Sequence, residues 1–101
     1  MEIKKLIDLA DVREQQAFAY TSYYNGKVSN EELQKGLDEY CQNMAACFLK
    51  EHSLSEEMCR EMRKHILRIG ADKKHSGHRF YEALYKELNN LQMSASSGKE
   101  M

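Results

Sequence analysis

A chain of 101 residues, 42% hydrophobic and 31% charged, has the size and composition of one globular domain, which excludes a collagen, a coiled-coil rod or a disulfide knot. Its 15 basic and 16 acidic groups leave a net charge of -1, so no global bias points to nucleic acid or to a membrane surface. The start, MEIKKLIDLADVREQQ, is too charged for a signal peptide, and no stretch approaches the roughly 18 apolar residues that cross a bilayer. We therefore expect a cytoplasmic protein with no membrane contact.

In the first segment Ile3, Leu6, Ile7, Ala10, Ala17, Phe18, Thr21 and Tyr24 share one stripe, with Glu14 near its centre. A buried, unpaired carboxylate there is costly. A break near Asp11 removes the difficulty: Asp11 becomes an N-cap and Glu14 closes a capping box. The competing reading is a functional buried acid. Asn25-Gly26 ends the segment. Tyr20, Tyr23 and Tyr24 surround its last turn and are candidate interface aromatics; the plainer alternative is an aromatic cap on the end of a bundle.

The second segment, Asn30 to Glu51, gathers Leu33, Leu37, Tyr40, Cys41, Met44 and Phe48 within an arc of about 100°. Ser29 and Glu32 stand in capping-box relation at its start. Ser53 and Glu56 repeat that relation before the third segment, whose inner side carries Leu54, Met58, Met62, His65, Ile66 and Ile69 and whose stop is Gly70. The fourth, from about Gly77 to Gln92, presents Phe80, Tyr81, Leu84, Tyr85, Leu88 and Leu91. After Met93 the string SASSGKEM is small and polar, and residues 93–101 are expected to form a disordered tail behind a single helical domain, 1–92. One apolar stripe per segment and short connections predict an all-α fold, a compact antiparallel bundle of about four amphipathic helices.

Charge is distributed unevenly. Residues 1–59 hold 6 basic and 11 acidic groups, residues 60–79 hold 7 and 2, and residues 80–101 hold 2 and 3. In the middle block Arg60, Arg63 and Lys64 lie opposite the third helix's apolar arc, with Leu67 projecting between them and Arg68 following. A leucine ringed by cations suits a partner anchor, although a charged outer face is ordinarily just solvated. The loop beyond it supplies Lys73, Lys74 and His75, and the next helix opens on His78 and Arg79. Free backbone N–H groups and the helix dipole make that junction attractive to anions. The whole block is the candidate site, and another protein its expected partner.

Two further classes use overlapping residues. Nucleic acid is a possible partner, since MAACFLKEHSLSEEMCREMRKHILRIG can be written as helix, turn, helix with a basic second helix, but the turn lacks glycine and there is no GxxxxGK[ST] loop. A soft metal or haem could draw on Cys41, Met44, Cys47, His52, Met58, Cys59, Met62 and His65. Most of these are core-facing, where Cys and Met serve as apolar filler, so no metal, cofactor or disulfide is expected. His65 is expected at the core edge, hydrogen-bonded to a carboxylate or carbonyl. Cys59 and His65 point apart on one helix and the carboxylates are unpaired, so no catalytic residues and no enzyme activity are expected. A homodimer is possible through the tyrosines.

Overall fold

Four helices account for the architecture: α1 (Ile3–Tyr24), α2 (Asn30–His52), α3 (Glu56–Ile69) and α4 (Arg79–Glu100). The computed structural model describes the backbone of residues 2–73 and 77–100 and the side chains of 2–73 and 77–91. Among the described residues there is no strand, and the chain forms an all-α bundle. α2 and α4 make the most extensive helix contact, α1 packs on both, and α3 lies on α4 and α1.

The predicted stripes become the core. Leu6, Ala10 and Ala17 of α1 meet Leu37, Cys41, Met44 and Phe48 of α2, Met62 and Ile66 of α3, and Phe80, Tyr81, Leu84 and Leu88 of α4 in one buried cluster. Phe48 and Phe80 meet edge to face with centroids 5.8 Å apart. Phe18 departs from its expected place. It is 73% exposed, because α1 turns Ala17 and not Phe18 toward α2 and α4, and Leu91, expected on the apolar face of α4, is 51% exposed.

Local chemistry sets most helix ends. Ser29 caps α2 by accepting the Glu32 N–H at 3.2 Å. α3 starts two residues later than the Ser53 pattern implies: Ser55 is its N-cap, accepting the Met58 N–H, while Ser53 adopts a left-handed conformation (φ 39°) that closes α2. Gly70, at φ 76°, ends α3 as expected. α4 begins at Arg79 and stays helical past the Gln92 end expected from periodicity. The stretch from 93, expected as a disordered tail, is helical backbone as far as Glu100; it contains no proline and its first glycine is Gly98.

α1 does not break at Asp11; it is one uninterrupted helix of 22 residues. Glu14 therefore closes no capping box of its own, and its carboxylate is satisfied elsewhere in the fold. The tyrosines close the α1–α2 end. Tyr20 stacks on Tyr40 of α2 at 4.8 Å and lies 4.7 Å from Tyr24, with its hydroxyl over Gly36, where a Cβ would collide with it. Tyr23 is exposed, with Lys27 Nζ 3.6 Å above its ring.

Candidate functional site

The basic block divides into two parts with opposite electrostatic fates. α3 turns Met62 and Ile66 inward, and Met58, Cys59 and Ile69 are half-buried against the same core, so its far side faces water. On that side Arg60, Lys64, Leu67 and Arg68 are exposed and Arg63 is half-buried. Leu67 is 49% exposed, an apolar side chain left uncovered among cations. Lys64 Nζ lies 3.7 Å from Glu61, an exposed i,i+3 pair of little energetic weight. Arg60, Arg63 and Arg68 make no ion pair or side-chain hydrogen bond with any described residue. Lys73, beyond the Gly70 stop, is exposed and equally without an ion pair to a described residue.

The start of α4 is the other part, and there the charge is already spent inside the molecule. A helix N-terminus leaves N–H groups without intrahelical acceptors, and those of α4 meet Glu14 from the middle of α1. Tyr81 donates its N–H to Glu14 Oε1 at 3.3 Å and Phe80 donates its own to Oε2 at a longer 3.5 Å. A carboxylate 66 and 67 residues away in sequence thus does the work of an N-cap. Burial raises the Glu14 pKa; the two backbone donors and the nearby His78 pull it down, and burial prevails. The anion that we expected this helix start to attract from solution is therefore supplied by the protein itself.

Arg79 is withdrawn in the same way. Its Nη1 donates to Gln34 Oε1 at 2.6 Å, its Nη2 to Asp38 Oδ1, and its Nε lies 3.8 Å from Glu82. With its side chain only 14% exposed, Arg79 is a brace between α2 and α4 and not part of an open cationic surface. His78 is half-buried beside Glu14 and Tyr81. The Tyr81 hydroxyl donates a hydrogen bond to Asp11 Oδ1, with the Ile7 carbonyl 3.3 Å away, and burial together with Asp11 raises the phenol's pKa. Lys74 and His75, also expected here, lie outside the described residues.

The other candidates disperse. His65 sits with its ring edge toward Tyr81, centroids 5.7 Å apart, and makes no hydrogen bond with a described residue in place of the carboxylate or carbonyl bond expected; burial lowers its pKa. Cys41 is buried, and desolvation pushes its thiol up to about 12, that of an apolar filler with no nucleophilic character. Cys59 is half-buried and raised for the same reason, while Cys47 is exposed on α2. Among the described residues no group of three His, Cys, Asp or Glu side chains is placed to hold a metal ion. No described helix is long and apolar enough to cross a membrane.

Glu14, Asp38 and Gln34 are the residues that sequence reasoning missed. Only Glu14 left a signal, as a carboxylate in an apolar stripe that had to find donors. Comparison with protein-family models, with curated proteins and with solved structures finds no match.

Proposed function

We propose that this chain is a non-enzymatic binding protein, of regulatory, inhibitory or adaptor type, that docks an acidic surface on another protein through the outer face of α3. The reading rests on one observation: Arg60, Arg63, Lys64 and Arg68 surround the half-exposed Leu67, and the arginines among them make no ion pair or side-chain hydrogen bond with a described residue, while Arg79 makes several. Exposed guanidinium groups bind carboxylates in bidentate fashion, and a central leucine supplies the desolvated anchor such contacts need. Three free thiols suit a reducing, cytoplasmic setting.

A protein is favoured over nucleic acid because Leu67 occupies the centre of the patch, where phosphate contact would place another donor. The test compares wild type with Arg60→Glu/Lys64→Glu/Arg68→Glu and with Leu67→Ala in quantitative capture from the native cell. Partners held by wild type and lost from both variants support the reading. Partners retained by the charge-reversed protein overturn it. A shift of random duplex DNA or RNA at low salt, abolished in the triple variant and falling steeply with added salt, would assign the same face to nucleic acid instead.

A further inference from the structure

α1 has a second regular face that the bundle leaves mostly exposed, with Gln16 at its centre half-buried. Leu9, Val12, Gln16, Ala19 and Tyr23 recur at alternating intervals of 3 and 4 residues, the spacing of a coiled-coil seam, and are distinct from the stripe that carries Leu6, Ala10 and Ala17 into the core. Leu9 is 38%, Val12 50% and Tyr23 62% exposed, and Ala19 is exposed as well. The seam runs along a helix of 22 residues, about 33 Å at 1.5 Å per residue.

We propose that this face of α1 is the contact between two copies of the chain, with the two α1 helices parallel and in register about a two-fold axis. Charge complementarity selects both the occupant and the direction. Asp8 and Arg13 flank the seam on opposite sides and are five residues apart, the relation in which a parallel pair places each acid beside the other copy's base. Two-fold symmetry makes that pair twice. The fully overlapped antiparallel arrangement instead brings the two Arg13 side chains toward each other. Asp8 is exposed and has no ion pair with a described residue.

Arg13 already donates to Gln16 Oε1 at 3.2 Å and lies 3.5 Å from Glu51, which holds the guanidinium at the seam's edge with donors to spare. In register, each Gln16 also meets its own copy, where paired amides can exchange hydrogen bonds. A lone polar residue of that kind specifies alignment at the seam.

The experiment is the mass of the full-length chain in solution by sedimentation equilibrium across a concentration series. A dimer of the 11.8 kDa chain is expected, reduced to monomer by Val12→Glu with unchanged helicity. Asp8→Arg and Arg13→Asp should each weaken self-association about tenfold, and the double swap should restore it to within about threefold of wild type. A monomer at millimolar concentration overturns the proposal, as does a dimer that survives Val12→Glu. Failure of the double swap to restore a dimer overturns the parallel register. Should Val12→Glu lower helicity, the swap series decides alone, because Asp8 is exposed and Arg13 stands at the rim of the fold. Reversal of Arg60, Lys64 and Arg68 leaves the dimer intact, which separates this surface from the α3 face.

Discussion

The outer face of α3 and the first turn of α4 draw their cations from one continuous basic stretch, yet the fold treats them in opposite ways. At α4 the helix N-terminus takes Glu14 and Arg79 takes Asp38 and Gln34, so local charge is converted into a link among α1, α2 and α4. On α3 the arginines make no ion pair with a described residue, and Lys64 meets only the exposed Glu61. The difference follows from direction. Arg79 precedes the most buried stretch of α4 and lies against α2, whereas Arg60, Lys64 and Arg68 are a half-turn away from the α3 core side. Sequence adjacency groups cations; only the packing tells which are structural and which are available.

Mutations can break or sharpen that contrast. Leu84→Ala sets the scale, since Leu84 is fully buried in α4 and its truncation should cost roughly 2–5 kcal/mol by denaturant unfolding. Arg79→Glu should resemble that core change more than a surface one. It leaves Asp38 and Gln34 without their donor, and we expect a loss of roughly 2–4 kcal/mol, below the range for a fully buried pair because Asp38 is 47% exposed. If Arg79→Glu unfolds at the wild-type midpoint, the brace has no energetic content and the two regions are alike.

Glu14→Ala removes the acceptor for α4 and should cost about 1 kcal/mol, as cap deletions do, with earlier amide exchange at Phe80 and Tyr81. Glu14→Gln keeps an acceptor oxygen without the charge, and pH then isolates the carboxylate. The folded-state pKa of Glu14 lies above its ordinary 4.5. Its protonation therefore favours the folded state: the linked stability is fully present below pH 4.5 and is lost as pH rises through the folded-state value. Relative to Glu14→Gln, wild type should lose stability on going upward through that window, and a difference independent of pH would contradict the burial of the carboxylate. His65, with its pKa lowered from 6.5, has the opposite sign, contributing stability above 6.5 that is lost as pH falls through its folded-state value. A His65→Gln background keeps the two titrations apart. The smallest change in stability belongs to Arg60→Glu/Lys64→Glu/Arg68→Glu, within about 0.5 kcal/mol of wild type, since all three are exposed; a larger loss would show that the α3 face is also structural.

Much of this fold was legible because its signals are local. The Leu33, Leu37, Cys41, Met44 and Phe48 spacing, Ser29 as a cap and Gly70 as a stop all act within a turn or two of chain, and each took its expected role. Ser53 misled because Ser55 offers the same hydroxyl two residues on, and the left-handed turn that closes α2 falls on Ser53. Of the candidate site, the α3 cations could be placed from helical period alone. Glu14 could not: the rule that a buried carboxylate needs donors was available, but the donors belong to a helix start 66 residues later. Local rules assign the acid to a cap on its own helix, whereas the tertiary structure gives it the donors of a distant one. Arg79 was misplaced for the same reason, since nothing near it in sequence announces Asp38 or Gln34.

The missing side chain at Gly36 has a mechanical consequence for the α1–α2 hairpin. The Tyr20 hydroxyl occupies the space that any Cβ at 36 would need, while its ring is held between Tyr24 and Tyr40. The tyrosine and the vacancy behave as a key in its keyway. Sliding one helix along the other by a turn, about 5.4 Å, would drive the phenol into Glu32 or Tyr40, neither of which offers the same recess. The recess at Gly36 thus adds a steric notch to the alignment of the hairpin, beside the apolar layers beneath it.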